Sequence, residues 1–275
     1  MNIRLSGPFR LILAALLVLS LQACATRGPE IGTSAPSDAS NAAWQAYQSY
    51  ASARASDHDP YRLSGSLRYG SQGDTRRVET LLWSNGYLPI RLDVMAGSGA
   101  LVARIQETQD SFTAYAPNEN KAIVHKGPQR VQLNFGRPVP FSLRDFSSLM
   151  RGRFHEVFGA AEGLNPRALP NGDIAFTLSG GILPGMLELR PDGLPVRWSA
   201  EKGWVMDITY DDGNPPLPYK FKLTHPDGYS AILLVKDRQK PNAAFRDDQL
   251  ALELPAGSII EPIKKGGYSW TSRRL

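Results

Sequence analysis

The sequence contains little cysteine and little histidine. Cys24 is the single cysteine among 275 residues, so no disulfide can form within the chain. His155-Glu156 begins like a zinc-binding motif, but Gly159 stands where the second histidine belongs. The histidines are dispersed along the chain: His58, His125, His155 and His225. We therefore expect no metal site.

Sequence motifs of catalysis are also missing. There is no G-x-S-x-G nucleophile motif, and Gly97-Ser98-Gly99 is typical of a turn. Asp211-Asp212 precedes Gly213 between two apolar runs, which indicates a hairpin turn rather than a carboxylate pair. The formal net charge of +5 is too small to indicate a nucleic-acid partner. We expect neither an enzyme nor a cofactor, although a catalytic site assembled from distant residues stays open.

The beginning of the chain has the layout of an export signal. Arg4 and Arg10 precede an uncharged apolar run over residues 11–21, which is shorter than the roughly 20 residues of a membrane-spanning helix. The alternative is a helix buried in the core. Leu21-Gln22-Ala23-Cys24 favours export, because it resembles the lipobox at which bacterial lipoproteins are cut and acylated. We expect a signal peptide over residues 1–23 and lipid on Cys24.

The residues that follow predict a lipidated tether over 24–43. They are small and polar and are interrupted by proline and glycine, as in flexible linkers. Acyl chains on Cys24 would anchor the protein stably, because each buried methylene contributes about 0.8 kcal/mol. Ala25 stands where aspartate retains well-studied Gram-negative lipoproteins in the inner membrane. By resemblance to that rule, we expect the outer membrane, with the protein facing the periplasm.

Residues 44–255 are expected to form one domain, because no linker-like stretch interrupts them. Ser40 or Asn41 is a suitable cap for a first helix. Three aromatic residues recur there at helical spacing: Trp44, Tyr47 and Tyr50. From Tyr61 onward, apolar and polar residues alternate with a period of two between turn sequences such as Asn85-Gly86. The short connections favour antiparallel pairing.

A second helix is predicted in the middle of the chain. Ser142-Leu143-Arg144-Asp145 resembles a capping box, and Gly152 marks the end or a bend. The apolar stripe of this helix contains Leu143, Phe146, Leu149 and Met150. Strand patterns return at residues 173–178, 185–189, 194–199, 204–210, 217–224, 229–236 and 249–254. Residues 256–275 are expected to be a C-terminal tail.

These elements predict a mainly β fold. About a dozen antiparallel strands must bury an apolar face, and a curled sheet forming an open or half-closed β-barrel does so. Short helices would cover it, with the middle helix as a lid or plug.

The order of the segments resembles the LolA/LolB superfamily, whose members chaperone bacterial lipoproteins. Residues 61–69 resemble the family's first strand, residues 138–152 its P-x-P, leucine, helix and glycine segment, and residues 217–223 its closing hairpin. Cys24 makes the LolB-type outer-membrane lipoprotein the nearest branch. Residues 248–257 resemble the terminal element of LolA-type proteins, which implies a divergent member with a C-terminal extension.

The resemblance implies an apolar cavity that binds acyl chains or lipoproteins, for lipoprotein localisation to the outer membrane. A periplasmic LolA-type carrier is the implied handing-over partner. LolB inserts an apolar residue at the tip of one loop into membrane; Ser98 stands there, so Met95 and Ala96 are the candidates for membrane contact. The expected cavity lining is Trp83, Ile90, Leu92, Leu101, Ile105, Phe146 and Leu149.

Three alternatives stay open. The expected lining residues could be ordinary core. The same half-barrel could serve a structural or sensor lipoprotein of an envelope assembly. A periplasm-facing hydrolase is the third.

Overall fold

The structure is a computed structural model that describes residues 33–34, 36–54, 59–201 and 203–263. The predicted signal peptide and Cys24 lie outside the described residues. The strands are β1 (Thr33–Ser34), β2 (Tyr61–Ser71), β3 (Asp74–Ser84), β4 (Ile90–Ala96), β5 (Leu101–Glu107), β6 (Ser111–Ala116), β7 (Lys121–Lys126), β8 (Gln132–Asn134), β9 (Pro138–Ser142), β10 (Glu162–Ala168), β11 (Ile174–Ser179), β12 (Gly185–Leu189), β13 (Pro195–Ser199), β14 (Val205–Tyr210), β15 (Pro218–Thr224), β16 (Ser230–Gln239) and β17 (Ile259–Pro262). The helices are α1 (Ser37–Ser52), α2 (Leu143–Arg151), α3 (Phe154–Phe158) and α4 (Asp247–Leu250).

Fifteen of the strands form one sheet. Two meanders, β2 to β7 and β10 to β16, are joined where β16 pairs with β2, and β1 and β17 occupy the outer edges. Neighbouring strands are antiparallel apart from β17, which runs parallel to β7. Within the described residues the edge strands do not pair with each other, so the sheet stays open. The prediction of an open, curled antiparallel sheet is confirmed.

Helix α1 packs across the second meander. Tyr47 is buried, and the Trp44 ring lies 5.1 Å from the Phe176 ring of β11. Gly193, in the turn between β12 and β13, has a φ of 82°, and a Cβ there would overlap the backbone of α1 at Tyr47. The turn therefore needs glycine both for its backbone conformation and for the approach of the helix.

The start of the domain differs from the prediction. Helix α1 begins at Ser37 with Pro36 as its cap, so Ser40 and Asn41 lie inside the helix. Strand β1 lies earlier still and pairs with β10. The expected tether over residues 24–43 is therefore too long, because its second half contains a strand and the first turns of a helix.

The end of the domain differs as well. The strand predicted over residues 249–254 is wrong, because α4 ends at Leu250 and residues 251–255 have no regular structure. The backbone carbonyls of this segment accept hydrogen bonds from side chains of the sheet instead: Trp83 Nε1 donates to Gln249 O at 2.9 Å and Gln106 Nε2 to Leu250 O at 2.7 Å. The expected tail over 256–275 contributes β17, so its first part belongs to the sheet.

Candidate functional site: the interior between sheet and plug

Helix α2 lies on the concave face of the sheet and is called the plug below. It begins with a reciprocal cap, in which Asp145 N donates to Ser142 Oγ at 3.2 Å and Ser142 N donates to the Asp145 carboxylate at 2.8 Å. It ends at Gly152, whose φ of 72° is the left-handed conformation that favours glycine. Both predicted ends are confirmed. Every residue from Leu143 to Met150 is buried, so the helix is enclosed on all sides.

The structure brings together five of the seven expected lining residues. Leu92 on β4 pairs with Ile105 on β5, and both side chains face the plug side of the sheet. Ile90 lies on the same face of β4, one alternation before Leu92. Phe146 and Leu149 approach them from the plug and belong to the same buried cluster. These five residues form the first half of the interior.

Trp83 and Leu101 do not belong to this group. Leu82 shares the concave face with Leu92, so Trp83, the next residue of β3, points to the convex face. There its ring lies 5.6 Å from the Arg91 guanidinium, and its Nε1–H donates to the C-terminal segment. The assignment of Trp83 to the cavity is therefore wrong. Leu101 is half-buried at the start of β5, next to a register shift.

The second half of the interior was missed by the sequence analysis. Trp198 of β13 is 1% exposed, and its ring lies 5.5 Å from Phe141 and 6.4 Å from Phe158. The period-two alternation of apolar residues in the second meander could have identified those of its residues that face the interior. The buried side chains contributed by this half include Phe176, Leu187, Leu189, Trp198, Met206, Ile208, Phe221 and Leu233. Helix α3 adds Phe154, Val157 and Phe158.

The interior is filled by the protein's own side chains. Residues of both meanders, of the β8–β9 hairpin and of α2 and α3 form one continuous hydrophobic cluster. Leu92, Leu143 and Phe154 are each 0% exposed within it. A ligand of the interior therefore has to displace the plug from the sheet.

Buried charges hold the amino-terminal end of the plug. The Arg144 side chain pairs with Glu107 of β5, and Arg144 N donates to Glu107 Oε2 at 3.2 Å. Burial raises the pKa of Glu107, against the opposing effect of the Arg144 charge. Asp145 pairs with Arg130, and burial raises the pKa of Asp145 in the same way. Buried pairs of this kind contribute little net stability, because desolvation offsets their attraction, and we interpret these two as fixing where the plug docks.

Comparison with solved structures decides the fold family. A LolA superfamily protein from Nitrosomonas europaea matches with a TM-score of 0.54 and 11% identity, over 76% of this chain and 97% of that one. The chain therefore shares the fold of that LolA superfamily protein. A DUF1329 family protein from Desulfovibrio piger shares it with a TM-score of 0.50 and 10% identity, over 77% of this chain and 96% of its own. No family model and no curated protein matches the sequence.

The loop expected to touch the membrane, by resemblance to the LolB branch, does not begin where the sequence predicts. Met95 and Ala96 lie inside β4, where Met95 pairs with Glu79 of β3 and is half-buried. The connection to β5 contains residues 97–100, which are glycine, serine, glycine and alanine, all exposed. The expected exposed loop starting at Met95 is therefore wrong, and the actual loop carries no large apolar side chain.

The described residues contain neither a metal-binding cluster nor a membrane-spanning helix. No group of three or more histidine, cysteine, aspartate or glutamate side chains there could hold a metal ion. No helix in the same part of the chain has the length and apolar character needed to cross a bilayer.

Proposed function

We propose that the protein is an outer-membrane-anchored lipoprotein whose LolA-type interior binds acyl chains or lipoproteins, in the localisation of lipoproteins to the outer membrane. It acts as a binding protein rather than an enzyme, and a LolA-type carrier in the periplasm hands over its cargo. The observation that carries the proposal is the continuous apolar surface on the concave side of an open sheet, covered by α2, α3 and the β8–β9 hairpin.

Binding requires the plug to move. The plug contacts the sheet through apolar side chains such as Phe146 and Leu149, which an acyl chain can replace contact for contact. Its charged pairs lie at its first turn, at Arg144 and Asp145. Its middle and its last turn are held by hydrogen bonds that have to break when the plug opens: the Tyr61 hydroxyl lies 2.6 Å from Ser147 Oγ, and Arg238 Nε donates to Met150 O at 3.0 Å. A plug that swings away from the sheet while its first turn stays attached exposes Leu92 and Ile105 to the chain of a ligand.

Crosslinking with a photoreactive fatty acid tests this proposal, because it identifies the residues that contact the acyl chain. We expect saturable binding to protein lacking residues 1–24, competed by unlabelled fatty acid, with crosslinks in the peptides that contain Leu92, Ile105 and Phe146. The convex face of the sheet is the internal control, because Leu234 of β16 is 38% exposed there and needs no opening to react. Crosslinks on the convex face alone, or no saturable binding, contradict an acyl-binding interior.

The second candidate is a structural or sensor lipoprotein of an envelope assembly with the same fold. The filled interior favours it, since a closed core needs no ligand. Deletion of the gene separates the two functions. Acyl-chain delivery predicts that other lipoproteins accumulate outside the outer membrane, whereas a structural role leaves their distribution unchanged.

A further inference from the structure

The indole N–H group of Trp198 is a buried donor in the second half of the interior. Trp198 lies on β13, is 1% exposed and belongs to the interior cluster. Its Nε1 is enclosed and has no hydrogen-bond partner within the part of the chain that the structure describes. Burial removes this N–H group from water without a replacement bond, which is unfavourable, and a buried tryptophan N–H usually has a partner. The closed interior therefore leaves this donor available to an acceptor.

Apolar packing does not require the donor. Phenylalanine at position 198 would keep ring contacts with Phe141 and Phe158 and would bury no polar group. Trp83 on the convex face shows the usual arrangement, because its Nε1–H donates to Gln249 O at 2.9 Å. A ligand that brings an acceptor into the interior would give Trp198 the partner that Trp83 already has.

Glycine at position 185 keeps the space beside the donor clear of a side chain. Gly185 begins β12 with a φ of 143°, a backbone conformation that favours glycine. A Cβ built on it would lie 3.0 Å from Trp198 Nε1 and 2.3 Å from Ser199 O. On this side the indole N–H group therefore faces main chain rather than a side chain.

The connection that leads into Gly185 is apolar. Residues 180–184 join β11 to β12 and are glycine, glycine, isoleucine, leucine and proline. Ile182 is 45% exposed, and its backbone N donates to Phe158 O of α3 at 2.9 Å. The Phe158 ring lies 6.4 Å from that of Trp198, and α3 directly follows the plug. Movement of the plug and α3 away from the sheet therefore uncovers Trp198 beside an apolar connection.

We propose that Trp198 Nε1–H donates a hydrogen bond to the carbonyl oxygen of an acyl group bound in the interior. An acyl carbonyl is an acceptor attached to an apolar chain, which matches a buried donor among apolar side chains. The carbonyl comes either from an acyl ester, as on a lipidated protein, or from the carboxylate of a free fatty acid. The inference rests on the proposed acyl-binding function and names the residue that recognises the polar end of the acyl chain.

Displacement of a fluorescent fatty acid from the full chain, as processed by the expressing cell and held in a non-ionic detergent, tests this hydrogen bond. The probes are methyl decanoate, decanoate and decane, which has no acceptor. The donor variant is Trp198→Phe. The matched control is Phe141→Leu, which shortens a neighbouring ring of the same cluster and removes no donor. Only ratios between proteins are compared, so uptake of a probe by the detergent cancels.

Relative to decane, we expect methyl decanoate to bind Trp198→Phe about 2- to 10-fold more weakly than the wild type, the net effect of one neutral hydrogen bond. The loss for decanoate should be at least as large, because its acceptor is charged. Phe141→Leu should change the affinities for the three probes by about the same factor, because the donor remains. Tighter binding of the ester than of the acid assigns an acyl ester, and the reverse order assigns a free fatty acid.

Equal changes for methyl decanoate and decane in Trp198→Phe overturn this inference and leave acyl binding in place. Failure of the wild type to bind any of the three probes contradicts the acyl-binding interior itself. If Trp198→Phe fails to fold, the second measurement is the indole N–H resonance of Trp198 in the wild type, assigned by its proton contacts with Phe141 and Phe158. It should move downfield on saturation with methyl decanoate and not with decane, and an equal response to both probes counts against the hydrogen bond.

Discussion

Phe146→Ala separates the strength of plug docking from the stability of the sheet. The Phe146 side chain is 6% exposed, and its ring lies 6.4 Å from that of Phe135. Truncation of a buried phenylalanine to alanine costs about 3–5 kcal/mol in transfer energy and cavity. The cost falls on the closed state, in which the plug touches the sheet, and is smaller once the plug has moved away.

The consequence for binding follows from the population of the open state. The apparent dissociation constant equals the intrinsic constant divided by the fraction of open protein, and about 1.4 kcal/mol changes that fraction tenfold. If a third of this cost is relieved on opening, Phe146→Ala should bind a fluorescent fatty acid roughly 5- to 15-fold more tightly. Phe146→Asp should bind more weakly, because it presents a carboxylate to the acyl chain.

Urea unfolding and fatty-acid displacement on the same samples measure the two quantities. Leu234→Ala is the matched control, because it shortens an apolar side chain on the exposed convex face. A Phe146→Ala variant that loses about 3 kcal/mol of stability without any change in affinity would show that ligands do not compete with the plug.

Three further predictions concern the anchor, the convex face and the buried charges. Cys24→Ser should abolish labelling by a palmitate analogue, and label retained on the variant excludes Cys24 as the lipid site. Trp83→Phe should lower the free energy of unfolding by about 0.5–1.5 kcal/mol, because the hydrogen bond to Gln249 is lost. Its affinity for fatty acid should be unchanged, and a changed affinity would show that Trp83 belongs to the ligand site. Burial raises the pKa of Glu107 above its ordinary value of 4.5, so the folded state holds the proton more tightly than the unfolded chain. The stability contributed by the protonated group is complete below that value and is lost as the pH rises through the raised pKa. Glu107→Gln should therefore gain stability relative to the wild type as the pH rises above the ordinary value of 4.5. A stability difference between the two proteins in urea unfolding that does not change with pH contradicts this.

Local features of the sequence predicted most of the sheet and both ends of the plug. Period-two alternation between glycine-containing turns specifies which face of a strand is buried, as it does for Leu92 and Ile105. The cap at Ser142 and Asp145 is complete within four residues, so its hydrogen bonds can be predicted from the local sequence. The fold followed from the order of these local elements, and the match to a LolA superfamily structure confirms the fold.

Contacts between distant residues explain the errors. An apolar residue occurs at Trp83 on the convex face of β3 because the C-terminal segment covers that face. When both faces of a strand are covered, period-two alternation does not indicate which face an apolar residue occupies. Apolar and polar residues alternate over 249–254 as they would in a strand. The carbonyls of Gln249 and Leu250, however, accept hydrogen bonds from side chains of β3 and β5 instead of from a neighbouring strand. The parallel pairing of β17 with β7 joins residues more than a hundred positions apart, which no local pattern reports.

The pairing of β1 with β10 limits the distance between the folded domain and Cys24. Thr33 is nine residues after Cys24, and nine residues at full extension span at most about 30 Å. If Cys24 carries the lipid, that edge of the sheet stays within this distance of the bilayer while the rest of the molecule pivots about it. This short linker keeps the effective concentration of the domain at the membrane surface high, so even a weak affinity for lipid head groups suffices for repeated contact.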